Sequence, residues 1–166
     1  MAGITIYQYN EEAKEYHNDR LIRKEAAVKN HMKYVLRNTT WEEKTERVSL
    51  IFRDAIFELA AIHNLKINLY DFEGNLLLSS TSDITETELP KKISPKIIER
   101  VLELPASSDN ENQSIIERFK VNGEEKQKSY SEIANTKFKP LLILNLEYDI
   151  DNKWLEISEI NQTKTV

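Results

Sequence analysis

Apolar positions recur at helical spacing near the start of the chain. From about Tyr7 to Arg37 there is neither Gly nor Pro, and Leu21, Val28, Met32 and Val35 fall on one stripe of a helix. Charged residues fill the positions between, such as Glu11 with Glu15 and Arg23 with Lys24. A helix of about 30 residues would be ~45 Å long at 1.5 Å per residue. That exceeds what a compact domain of this size needs, so the helix is expected to project as a stalk or to pair with a partner chain. Met32 and Val35 are expected to pack within the chain, and the N-terminal half to supply a dimer contact.

A second apolar stripe, Val48, Phe52, Ala55, Ile56, Leu59 and Ile62, is broadened by Ile51 and Ala60. Thr40-Trp41-Glu42-Glu43 has the spacing of a capping box, which predicts a helix starting there and ending at His63-Asn64, with Asn64 as a left-handed cap. The period then changes. Ile67 to Tyr70 and Leu76 to Ser79 flank Asp71-Phe72-Glu73-Gly74-Asn75, a hairpin in which Gly74 takes a positive φ. After a polar connector, Ser94 caps and Pro95 starts a short helix whose buried side is Ile97, Ile98, Val101, Leu102 and Leu104, with Pro105 as its stop. A polar loop spans 106–114. Ile115 to Val121, the turn Asn122-Gly123 and Gln127 to Ile133 form a second hairpin. Its returning strand is mostly polar, which places it at an edge or against a wet pocket. Leu141 to Leu146 reads as a central strand, and Asp151 to Asn161 as a terminal helix.

The predicted order is α-α-β-β-α-β-β-β-α, an α+β chain without internal repeat. At 166 residues it fits one domain. The helix at 1–38 forms a stalk on a core at 39–166, the two making a single unit. Hydrophobic residues at 40% with charged residues at 31% are globular values rather than those of a disordered tail. A net charge of −5 without a basic cluster argues against nucleic acid as a partner. The first 40 residues carry +2 and the rest −7. No run of 18 apolar residues is present to span a bilayer.

The chemistry-bearing residues are sparse. Cysteine is absent, which removes disulfides, thiol nucleophiles and thiolate metal sites. Three glycines, at 3, 74 and 123, cannot build a phosphate loop. His17 and His31 lie too far apart on one helix to share a metal, and His63 at a helix end is explained by the helix dipole. The Ser79-Ser80 and Ser107-Ser108 pairs have no neighbouring His and Asp, so no nucleophile arrangement is visible. No catalytic residue, metal ligand or cofactor is expected. Among the 28 acidic residues a hydrolytic carboxylate pair is a distant third reading.

Two segments carry a family resemblance. Glu15 to Ala27, Glu-Tyr-His-Asn-Asp-Arg-Leu-Ile-Arg-Lys-Glu-Ala-Ala, is similar to the charged stalk helix that follows the first membrane span of membrane-bound sensor histidine kinases of the Bacteroidetes type. Ile62 to Ser80, with Asp71-Phe72-Glu73-Gly74, resembles the Asp-x-x-Gly hairpin that opens the PAS-like sheet of their extracytoplasmic Cache (PDC) domains. Lys139 to Leu146 occupies the place of the last sheet strand. The resemblance implies a long N-terminal helix packed on a five-stranded antiparallel sheet in the order 2-1-5-4-3. It also implies a ligand, where present, between the sheet face and the connector with its short helix. The phosphorylated histidine and the ATP site of such a kinase would lie outside this chain. The amino-acid-gripping pattern of some members is missing here, so the signal, small molecule or protein, stays open.

Tyr7 and Tyr9 suit either a segment leaving a membrane interface or ordinary helix-end packing. A homodimer through the N-terminal helix is the expected assembly. Tyr130, Ser131 and Asn145, polar members of strands near the sheet face, are candidates for lining a ligand pocket. Their alternative role is that of polar groups at an edge or core margin. A ligand-free dimeric interaction module is the competing function.

Overall fold

The computed structural model describes residues 2–81, 92–104 and 114–149. Helix α1 spans Ala2–Asn38, so its 37 residues extend ~55 Å. A short 3₁₀ turn at Thr45–Arg47 leads into α2 (Val48–Ile51) and α3 (Ala55–His63). Strands β1 (Lys66–Tyr70) and β2 (Leu76–Ser79) precede α4 (Pro95–Glu103), and β3 (Ile115–Val121), β4 (Glu124–Ala134) and β5 (Pro140–Asp149) complete one antiparallel sheet. The strand order is β2-β1-β5-β4-β3. The architecture is α+β, with the order that the resemblance implies.

Alternation along the strands gives the sheet two different faces. Ile67, Leu69, Leu142, Leu144 and Leu146 pack against α1, α2 and α3 in the main core. Tyr70, Ile115, Tyr130 and Ile143 face the other way, where Ile98 and Val101 of α4 cover them. The buried stripe of α1 is Leu21, Glu25, Val28, Met32 and Leu36, with Val35 only partly covered. Leu21 is already buried within its own chain, so the stripe from there onward serves intrachain packing. Arg20 and Lys24 lie over the Tyr148 ring, while Thr45 just beyond the helix donates to the Leu141 carbonyl at 2.7 Å. Helix α1 therefore runs opposite to β5.

Several local expectations are met by backbone geometry. Asn64 closes α3 in the left-handed region at φ 52°, with the Leu65 N–H bonded to the Ala60 carbonyl. Asn122 and Gly123 both take positive φ in the tight β3–β4 turn, which is what a two-residue hairpin of this twist requires. Pro95 opens α4 and Ser94 stands at the N-cap position, its carbonyl accepting from Ile97 and Ile98, while its side chain makes no capping hydrogen bond. In the β1–β2 turn the Asp71 carboxylate accepts the Glu73 and Asn75 N–H groups and the Asn75 amide. Gly74 is needed twice: its φ is +91°, and a Cβ there would stand 2.9 Å from the Ile93 carbonyl oxygen.

Other expectations need correction. Residues 40–63 do not form one helix. The Glu43 carboxylate accepts from the backbone and hydroxyl of Thr136 instead of turning back to Thr40, so the capping box does not form. The helical path breaks again at Phe52, which leaves the α region at φ −102°, ψ 10°. Ile62 and Leu102, both assigned to buried stripes, are 63% and 50% exposed. Strand β4 is not at an edge: it pairs with β3 on one side and β5 on the other, and β3 is the edge. The predicted terminal helix at Asp151 to Asn161 and nearly all of the 106–114 loop lie outside the described residues. Among the described residues no helix is long and apolar enough to cross a membrane.

Candidate functional site

The α4 side of the sheet grades from apolar to charged across three rows of paired residues. One row is Tyr70, Ile143 and Glu132, in register across β1, β5 and β4. The next row is Asn68, Asn145, Tyr130 and Ile115. The third is Lys66, Glu147, Lys128 and Glu117, whose signs alternate across four strands. Cross-strand neighbours of opposite charge are mutually stabilising on a shared face. Lys128 approaches Glu117 to 3.8 Å, and Lys126 approaches Glu147 to 4.0 Å. Lys128 also sits over the rings of Phe119 and Tyr130.

The middle row is a hydrogen-bonded ladder. Ser79 Oγ donates to Asn68 Oδ1 at 2.7 Å, and Asn68 Nδ2 donates to Asn145 Oδ1 at 3.0 Å. Asn145 Nδ2 then donates to the Ser129 carbonyl at 3.1 Å. The chain of bonds ties β2, β1, β5 and β4 together, so a slip of any one strand would break it. Burial pushes the Tyr70 hydroxyl well above its ordinary pKa, helped by neighbouring Tyr130 and Glu147. Burial also raises that of Tyr130, against the opposing pull of the Lys128 ammonium. Both phenols therefore stay protonated and able to donate. The Glu132 carboxyl is raised by burial as well.

Of the three residues singled out from sequence, Tyr130 and Asn145 stand directly opposite each other on this face, 7% and 5% exposed. Ser131 does not join them. Adjacent strand residues point to opposite faces, and Ser131 is buried on the α1 side with Ser129 and Gln127. Asn68, Ser79 and Tyr70 complete the site and were not singled out. The signal for Asn68 was a lone amide alternating with Ile67 and Leu69.

The α1 side has its own polar residues. Glu25 and Lys29, one turn apart, are both buried, with Lys29 Nζ 2.9 Å from Glu25 Oε1. The contact is one of charges rather than an aligned hydrogen bond, because neither carboxylate oxygen has a hydrogen-bond partner. The hydroxyls of Ser129 and Ser131 are likewise buried without partners. His63 differs from the sequence reading. A helix dipole would favour its charged form, yet burial, then the nearby Lys24 and His31, hold its pKa below the ordinary value. The Lys24 ammonium takes the His63 carbonyl, at 2.7 Å, which is the group the dipole argument relied on.

Among the described residues no group of three or more His, Cys, Asp or Glu side chains converges to hold a metal. The α4 face offers amides, phenols and both signs of charge, a set suited to grip a small polar molecule or a polar protein surface. A scan against family models and a search of curated proteins return no match for this chain.

Proposed function

We propose that this chain is the extracytoplasmic sensor module of a membrane-bound two-component histidine kinase, itself without catalytic residues. The observation that carries the reading is the pairing of a β2-β1-β5-β4-β3 sheet with one helix of 37 residues across its apolar face. The opposite face joins an apolar cluster covered by α4 to an amide ladder and a charged row. A ligand or partner engaging Tyr130 and Asn145 would compete for the amide ladder, which ties β4 to β5, the strand that supplies Leu142, Leu144 and Leu146 to the core shared with α1. Ligand binding then favours one of two packings of α1 against the sheet, and a homodimer through the N-terminal part of the helix passes the shift towards the membrane.

Two experiments test this. In the parent reading frame, apolar spans are expected on both sides of the chain with a kinase downstream; a frame without a kinase sinks the reading. A thermal-stability screen with small metabolites is expected to find a compound that stabilises the wild type by mass action and leaves Asn145→Ala unmoved. The second reading, a ligand-free dimeric interaction module, is favoured by one observation: Ser79, Asn68 and Asn145 bond one another. It is the outcome if dimers form and no compound shifts the transition.

A further inference from the structure

We propose that the contact between α1 and the C-terminal end of α3 is a latch that acid opens, in which Lys24 holds the His63 carbonyl and a proton taken up by the imidazole of that same residue drives the ammonium away. Lys24 Nζ donates to the His63 carbonyl at 2.7 Å. His63 is the last residue of α3, so this carbonyl is one of those that the helix itself leaves without an N–H partner. Lys24 lies in the turn after Leu21, the first described residue of the buried stripe on α1. The latch therefore sits where α1 comes onto the core, and it governs how far along the helix the packing extends.

The charges that act on His63 are cationic. Lys24 and His31, two turns apart on one side of α1, both bear on its imidazole, and Arg20 bears in turn on Lys24. Arg20 and Lys24 also lie over the Tyr148 ring of β5, which sets their side of the helix. The carboxylates of the surrounding elements are placed elsewhere. Glu25 of α1 is buried with Lys29, and Asp19 and Glu58 are exposed. Glu58 lies about 140° around α3 from His63 at 3.6 residues per turn. Lys66 of β1 and Glu147 opposite it belong to the α4 side of the sheet, where Glu147 is 4.0 Å from Lys126.

Burial, then Lys24 and His31, hold the His63 pKa below its ordinary 6.5, and burial, then Arg20, lowers that of Lys24. A closed latch that disfavours the imidazolium is fully held above 6.5 and is lost as the pH falls through that value towards the folded one. With the latch open the imidazole regains water and is relieved of the Lys24 charge, so it titrates at its ordinary value. On acidification the closed-to-open ratio falls by at most the ratio of these two acid constants. This inference does not rest on the sensor reading, since it needs only the packing of α1 on α3.

The test uses the full chain, which has no cysteine of its own. Spin labels on Asp19→Cys and Ala61→Cys, both at exposed positions, report the separation of α1 from α3. With these labels the otherwise wild-type chain is expected to show one short separation at about pH 7.5 and to gain a longer one at about pH 5. His63→Gln keeps the carbonyl and removes the titrating ring, so it should stay closed at both pH values. Lys24→Met should give the longer separation at both. Proton NMR of the histidines adds a second measurement: His63 is expected to titrate below 6.5 in the wild type and to move up towards it in Lys24→Met. The idea is overturned if the wild-type separation is the same at both pH values, if His63→Gln opens as the wild type does, or if Lys24→Met still closes. A wild-type His63 midpoint at or above 6.5 would also sink it, since acid would then tighten the contact or leave it unchanged.

Discussion

The two faces of the sheet treat buried polar atoms in opposite ways. Beneath α1 an apolar cluster encloses a few polar side chains, and there the Glu25 carboxylate and the Ser129 and Ser131 hydroxyls are buried without hydrogen-bond partners. Towards α4 the surface is rich in amides and charges, and Ser79, Asn68 and Asn145 are bonded in series across four strands. A buried polar group is costly when it lacks a partner, whatever its neighbours. The main core therefore stabilises by packing and tolerates a polar defect, while the other face holds strand register through directional bonds. These are different ways of being rigid, and substitution should separate them.

The largest effect is expected in the main core. Leu144→Ala, at a fully buried position in the middle of β5, should lower stability by about 4 kcal/mol in urea denaturation. A loss under about 1 kcal/mol would mean that α1 does not hold this face. Asn145→Ala comes next, at about 2 kcal/mol, because it strips both Asn68 and the Ser129 carbonyl of a buried partner. Replacing Glu25 by Leu together with Lys29 by Met should instead raise stability by roughly 1 kcal/mol, as apolar side chains of similar volume do for buried ion pairs. If the double variant is less stable, the pair is better satisfied than its geometry indicates.

Ser131→Ala is the sharpest contrast with Asn145→Ala. Its hydroxyl has no partner to lose, so stability should stay within about 0.5 kcal/mol of wild type. A smaller, pH-dependent effect belongs to Glu132. Burial raises its folded pKa, so its contribution is full below the ordinary value of 4.5 and is lost as pH rises through the folded value. Stability measured from pH 4.5 upwards should therefore fall less in Glu132→Gln than in wild type.

What could be read in the sequence was what neighbours along the chain decide. Asn64, Gly74, Asn122-Gly123 and Pro95 act within a turn of themselves, and each does in the structure what local sterics require. The stripe on α1 was visible in Leu21, Val28 and Met32, but the buried Glu25 within it was not. The position of β4 was not legible, because polar composition describes a strand's faces and says nothing of its lateral neighbours. The capping box failed for a similar reason: Glu43 found Thr136, 93 residues further along. Grouping Ser131 with Tyr130 was an error that the period of two could have prevented.

Ser80 and Ile93 are both fastened to the β1–β2 hairpin. At one end Ser80 is fastened to β1, its N–H to the Ile67 carbonyl and its hydroxyl accepting the Ile67 N–H. At the other, Ile93 is seated against Gly74, with its N–H on the Gly74 carbonyl. Gly74 is thus where the β1–β2 turn and the approach to α4 meet, so a side chain at that one position would press on both at once.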